Sequence, residues 1–296
     1  MYFCLVVAKK TKPPVKRKLP VTKKPPVKQK KSKGWPPQLK IAVAGIVLVL
    51  LSPFYYGYVI KAFSSTWRWM RDIGGNPHYH TYPNFNIAIP DKYKIHGIDV
   101  SYAQGNIDWQ KVRAVDEDSI RITFTFIKAT EGILSVDPYF QRNWREAAKA
   151  GIVCGAYHYF KPSKSGTAQA KFFLQVAKTE KGDLPMVVDV EELNHVTPDK
   201  MREQLKDYLT YVEKKTKIKP IIYSGVSFYT DYLQGYFDDY HLWVANYDEP
   251  DTKLSSGKQW LVWQHSAKAT VTGINHVVDF DAFYGDSTAF QQMLIK

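Results

Sequence analysis

From residue 95 to the C-terminus, short apolar or β-branched runs recur with helical patterns between the earlier ones, and nothing else in the chain restricts its fold as much. The runs are "HGIDVS" (96–101), "FTFIKAT" (124–130), "IVCGAYHYF" (152–160), "LPMVVDVE" (184–191), "PIIYSG" (220–225), "HLWVANY" (241–247), "WLVWQHS" (260–266) and "HVVDFDAF" (276–283). Apolar stretches this short and this continuous suit strands buried on both faces, as in a parallel sheet whose crossovers carry helices. Asp137 with Pro138 predicts a helix start, with Phe140, Trp144, Ala147 and Ala148 facing inward and Gly151 at the end. Thr197 with Pro198 predicts another, with Met201, Leu205, Tyr208, Leu209 and Val212 at helical spacing. The last three runs are joined by segments too short or too rich in Gly and Ser for long helices. The expected fold class is therefore α/β, an incomplete TIM-like β/α barrel of five β/α units followed by three strands. Residues 95–296, roughly 200 of them, suffice for one such domain.

In a parallel barrel the C-terminal strand ends surround the mouth, where functional side chains collect. Acids fall there: Asp99 ends the first run, Asp189 and Glu191 end the fourth, and Asp279 and Asp281 lie near the end of the eighth. Asp189 and Glu191 are two apart, so they share a strand face with Cα atoms about 6.6 Å apart. Val190 and Glu192 then point elsewhere, and Glu192 is expected as a solvated or capping neighbour. Two carboxylates on one wall suit acid–base work at a glycosidic bond. Such pairs also occur in loops and metal sites, and the acids at three strand ends favour the cleft. Tyr157, Tyr159, Tyr223, Trp243, Asn246 and Gln264 at other strand ends fit a sugar-binding trough, because aromatic faces stack on sugar rings; ordinary barrel packing is the competing use of each. Lys128 and Glu131 are expected as a structural ion pair.

Neither a metal site nor a cofactor is expected. His78 and His80 form a lone His-x-His without further ligands at metal spacing, and there is no Gly-rich phosphate loop or Cys-x-x-Cys pair. Two cysteines, Cys4 and Cys154, give no disulfide framework. Cys154 lies in an apolar run and is expected as a buried structural thiol.

The N-terminal part differs in kind. The chain carries 41 Lys and Arg against 28 Asp and Glu, yet no acid precedes Asp72 and thirteen of the basic residues lie between Lys9 and Lys40. The remainder is balanced, so the net charge of +13 belongs to the tail and does not imply nucleic-acid binding by the main domain. Residues 1–40, with Lys-Pro-Pro-Val-Lys at 12–16 and again at 24–28, are expected as a solvated cytoplasmic tail unable to build a core. Residues 41–60 carry no charge, which makes about 30 Å of helix, the thickness of a bilayer core. Lys40 and Lys61 bracket the segment, and Tyr55, Tyr56 and Tyr58 suit the far interface. The expectation is an uncleaved, single-pass anchor in the cytoplasmic membrane, with a stem at 61–94 and the catalytic domain, 95–296, on the periplasmic or extracellular side. The oligomeric state is left open.

The motifs "HGIDVSYAQGNIDWQKV", "FIKATEG", "VDPYFQRNWREAAKAGIVCGAYHYF", "LPMVVDVEE", "PIIYSG", "LWVANY" and "VVDFDAFYG" follow one another from His96 to Gly285. In order and spacing they resemble glycoside hydrolase family 25, the Chalaropsis-type lysozymes. The resemblance implies an N-acetylmuramidase that hydrolyses the β-1,4 bond between N-acetylmuramic acid and N-acetylglucosamine, with peptidoglycan glycan strands as its partner. It assigns Glu191 as general acid and base, and Asp189 as the group that assists the substrate's acetamido oxygen or stabilises positive charge, with retention of configuration. Asp99 and Asp279 correspond to further acids of the cleft floor, whereas Asp281 falls where members often carry Asn and is left out. Unlike many members, the chain has no wall-binding repeats. An inactive wall-binding module and a glycosidase acting on another acetamido-sugar polymer are the alternatives.

Overall fold

The computed structural model describes residues 78–247 and 252–296, together with 36, 38–40, 43 and 46. The expected membrane segment at 41–60, apart from Val43 and Ile46, and most of the tail lie outside the described residues. Among the described residues, no helix is long and apolar enough to cross a membrane. The residues from His78 onward belong to a compact unit spanning Arg71–Lys296.

This unit opens with an antiparallel hairpin of β1 (Tyr79–Tyr82) and β2 (Ile87–Pro90). Residues 61–94 are expected as a stem, but the hairpin packs on the domain that follows. Phe85, Ile87 and Ile89 are buried at period two, and the Phe85 ring meets Phe280 edge-on at 5.2 Å. The Thr270 N–H donates to the Phe85 carbonyl at 2.9 Å.

Next come β3 (His96–Val100), α1 (Trp109–Ala114), β4 (Ile122–Glu131), β5 (Ser135–Val136), α2 (Phe140–Lys149) and β6 (Val153–Tyr159). They are followed by α3 (Gly166–Val176), β7 (Val187–Asp189), α4 (Pro198–Thr216), β8 (Ile221–Gly225) and the short α5 (Val226–Phe228). The domain ends with β9 (Leu242–Ala245), β10 (Val262–Ala269), β11 (Val278–Phe283) and α6 (Ser287–Met293). Every one of the eight apolar runs overlaps a strand. Side by side in the order β3-β4-β6-β7-β8-β9-β10-β11, these strands form a barrel that closes where β11 pairs with β3. Helical segments follow each of the first five; among the described residues none separates the last three.

One direction departs from the all-parallel expectation. β11 runs antiparallel to both β10 and β3, so its N-terminal end, not its C-terminal end, lies at the mouth. A chain arriving from the mouth end of β10 through residues 270–277 has no helix to carry it back to the base. It can only turn and descend.

Alternation sorts each strand's side chains between two cores. Ile98, Val100, Val188, Val190 and Val244 face outward against the helices, whereas Phe124, Phe126, Val187, Ile221 and Trp243 fill the barrel. The two interior phenylalanines fit because glycines stand beside them. A Cβ on Gly97 would lie 2.4 Å from the Phe124 ring, and one on Gly155 would lie 2.5 Å from the Phe126 ring. The helix expectations are met with adjustments. Thr197 caps α4 by accepting the Lys200 N–H at 3.3 Å, and Met201, Leu205, Tyr208, Leu209 and Val212 are its buried face. In α2 the buried face is Phe140, Asn143 and Ala147, while Ala148 is exposed. Asn143 holds this inward place because its amide oxygen accepts the Trp109 indole N–H at 3.3 Å.

Candidate active site

At the mouth of the barrel a cleft of about 320 Å³ is lined by Asp99, Asp189, Glu191 and Asp279. Period-two alternation turns Asp99 and Asp189 inward from β3 and β7, and Glu191 follows two residues later. Asp279 sits directly opposite Asp99 in the antiparallel β11–β3 pair, and the reversed strand is what brings it to the mouth. A larger groove of about 580 Å³ lies between the C-terminal ends of α3 and α4, shares no lining residue with this cleft, and is lined mainly by Lys and apolar residues.

Burial and like charge push the four carboxyls toward the neutral form. Asp99 is 7% exposed, and burial, then Asp279 and Asp281, hold its pKa well above the usual carboxylate range. Asp189 is raised by burial and then by Glu191, with Lys128 working in the opposite direction. Its Oδ1 is buried with no hydrogen-bond partner among the described residues, an acceptor that a ligand N–H could fill. Asp279 is pushed up to about 6 by burial and Glu191. Glu191 is exposed as a residue at the mouth, yet desolvation by partial burial raises its pKa. Proximity to the Tyr223 hydroxyl pulls it partly back down. A tyrosine hydroxyl has one proton to donate, and in this geometry it goes to Gln264.

Gln264 is the hub of the floor. Its amide oxygen accepts from the Tyr223 hydroxyl at 2.9 Å and from the Tyr247 hydroxyl, which fixes the orientation of the amide. Its Nε2 then donates to Asp99 Oδ2 at 2.6 Å. Deeper in the barrel, the Trp243 indole donates to Asp281 Oδ1 at 2.8 Å. Asp281 is fully buried, and burial followed by Asp279 keeps its pKa well above the ordinary range. It points into the barrel beneath the cleft and is not among the cleft-lining residues.

The sequence-predicted trough residues divide. Tyr157, Tyr159, Tyr223 and Gln264 line the cleft. Trp243 also reaches it, but the residue is 2% exposed and its ring stacks on Phe126 at 4.5 Å, so it forms floor and offers no open face to a sugar. Asn246 does not line the cleft; its carbonyl accepts the Trp263 indole N–H at 2.8 Å. Strand-end position alone does not separate a rim residue from one packed below it. Glu192, expected as a solvated or capping neighbour, keeps its side chain 40% exposed and pairs its Oε1 with Lys161 Nζ at 2.9 Å. Lys161 and Lys128 both pair with Glu131, at 3.2 Å and 2.7 Å, and both lie over the Tyr159 ring, so the expected Lys128–Glu131 pair belongs to a larger cluster at the cleft edge. Ser101, Tyr102 and Tyr247 line the cleft without having been singled out. Tyr102 follows Asp99 by three residues and Tyr247 follows Asn246 directly, so position just past a strand end was the available signal.

Cys154 is buried, and burial pushes its thiol up to about 12, which leaves no thiolate for chemistry at neutral pH. His80 pairs with Asp91 at 3.1 Å, and among the described residues no three His, Cys, Asp or Glu side chains gather as metal ligands.

Residues 98–274 match the family model for glycosyl hydrolases family 25. The chain is 43% identical over 250 residues to YegX of Escherichia coli K12, covering 84% of this chain and 91% of that protein. It is 31% identical over 229 residues to lysozyme M1 of Streptomyces globisporus, covering 73% of this chain and 74% of the relative. Among solved structures, a family 25 glycosyl hydrolase from Bacillus anthracis superposes with a TM-score of 0.65 at 29% identity, covering 75% of this chain and all of the other.

Proposed function

The chain belongs to glycosyl hydrolase family 25, and from that premise we propose that it is a lysozyme cleaving the β-1,4 bond between N-acetylmuramic acid and N-acetylglucosamine in peptidoglycan. One observation carries the reading: four carboxylates from three different barrel strands and the segment after β7 converge on a single mouth cleft, where Lys128, the one cation lining it among the described residues, is paired with Glu131. In this reading Glu191 is the acid. A raised pKa favours its protonated form, the residue is exposed at the cleft, and it gives its proton to the leaving glycosidic oxygen. The same carboxylate then takes a proton from the attacking water.

Asp189 assists from the same wall. Its unpartnered Oδ1 accepts the N–H of the substrate's acetamido group, so that the acetamido oxygen attacks the anomeric carbon as the leaving oxygen departs. Water opens the resulting ring, and the configuration is retained. Asp279 is coupled to Glu191 by like charge, and Gln264 orients Asp99 on the cleft floor. Tyr157, Tyr159 and Tyr223 border the sugar.

The test is release of reducing ends from purified peptidoglycan, with mass analysis of the fragments and chitin oligomers digested in parallel. Muramic acid at the new reducing end and loss of turnover in Glu191→Gln are expected. An active Glu191→Gln enzyme overturns the acid's assignment, faster cleavage of chitin overturns the substrate, and wall binding without turnover would show an inactive module. Retention is read from the first-formed anomer by proton NMR. As for location, 41–60 is proposed to anchor the enzyme in the cytoplasmic membrane with its catalytic domain on the wall side. Support comes from the uncharged segment and the basic run before it, and protease sensitivity of the domain in spheroplasts tests it.

A further inference from the structure

Tyr102 lines the cleft, yet the acid chemistry does not use it. Its side chain is 61% exposed, three residues beyond Asp99 on the turn that leaves β3. That turn is held from several directions. The Tyr102 N–H donates to Oδ2 of Asp137 at 2.7 Å, and Asp137 comes from the segment between β5 and α2. The other oxygen of Asp137 accepts the Tyr139 N–H at 2.9 Å. The Ser101 hydroxyl accepts the Ala103 N–H at 3.2 Å, and the Gln104 side-chain oxygen accepts the Ser101 N–H at 2.9 Å, a reciprocal cap on one turn. Gln104 Nε2 then donates to the Val277 carbonyl at 3.0 Å, two residues before Asp279. The turn carrying an exposed ring is thus fastened to β3, to the start of α2 and to the entry of β11.

Asp137 is only 7% exposed, and burial raises its pKa even though two backbone N–H groups favour its anion. A carboxyl placed this deeply is costly, and what it secures is the backbone of the ring-bearing turn. We propose that Tyr102 is a stacking platform for a sugar ring of the bound glycan, and that Asp137 is its positioning residue. This rests on the glycan-cleaving reading. A platform on the rim touches substrate and transition state alike, so its contribution goes into binding and leaves the chemical step unchanged.

The experiment uses the full-length chain on soluble peptidoglycan glycan strands, measuring kcat, KM and the midpoint of thermal unfolding. Tyr102→Ala is expected to raise KM about three- to tenfold, the range of one aromatic contact, with kcat within about twofold. Tyr102→Phe recovers most of the lost affinity, because the ring face is what binds. Asp137→Asn keeps the size but loses one acceptor, and raises KM in the same direction. The double variant Asp137→Asn with Tyr102→Ala has the KM of Tyr102→Ala alone, since the support has nothing left to position. An unchanged KM in Tyr102→Ala overturns the platform. A fully additive double variant, or an Asp137→Asn change confined to the unfolding midpoint, overturns the positioning role. A wild-type chain inactive on every glycan would overturn the parent reading instead.

Discussion

Asp279→Asn should stabilise the folded domain at neutral pH while lowering its activity. Burial and Glu191 lift the Asp279 carboxyl from an ordinary value of 3.8 to about 6. The unfolded chain therefore releases this proton about two pH units before the native protein does. Between those values the native state binds more protons than the unfolded one, so stability falls as pH rises from about 4 to about 6 and stays lower above that. At ~1.4 kcal/mol per pH unit the cost at pH 7.5 is about 3 kcal/mol, or about 2 kcal/mol after allowing for partial solvent access and the Glu191 coupling. Asparagine has nearly the same shape and no charge to lose, so it recovers this amount. For a domain of this size the unfolding midpoint should rise by roughly 4–8 °C. The assay is denaturant and thermal unfolding of Arg71–Lys296 for both proteins, at pH 7.5 and at pH 4. At pH 4 the wild-type carboxyl is already protonated, so the gain should nearly vanish. No gain at pH 7.5, or an equal gain at both pH values, would refute the reasoning.

Other outcomes follow from the same geometry. The pH profile of kcat/KM should lose its alkaline limb above the ordinary glutamate range, because burial raises Glu191 and the acid must be protonated to act; a limb at the usual glutamate value contradicts this. Gly155→Ala, whose Cβ would stand 2.5 Å from the Phe126 ring, should destabilise the domain by about 1–3 kcal/mol, read from denaturant midpoints, and an unchanged midpoint would mean the barrel interior is loose. In Arg71–Lys296, Cys154 should react with a thiol reagent at neutral pH only on unfolding, since burial pushes its pKa to about 12; rapid labelling of the native domain contradicts this.

The alternation of residue types largely determined the strands and the faces of the catalytic wall. Eight apolar runs become eight barrel strands, and two-residue spacing puts Asp189 and Val187 on the interior face while Val188 and Val190 face the helices. These are local consequences of strand geometry, written in consecutive residues. The amphipathic face of α4 was legible for the same reason, and so was its Thr197 cap.

Direction, depth and partnership were decided by tertiary structure. Asp279 reaches the mouth because β11 runs backwards, and strand pairing between residues some 180 positions apart sets that direction. Trp243 and Tyr247 are equally aromatic and only four residues apart, yet Trp243 is 2% exposed and stacked beneath the cleft while Tyr247 is 51% exposed at its rim. Glu192 finds Lys161 on a neighbouring loop, and Tyr102 finds Asp137 across the turn after β5. A sequence records which side of a strand each residue takes. How far along the barrel axis that residue lies, and what meets it there, depends on chain segments far away, because closing the barrel couples all eight strands at once.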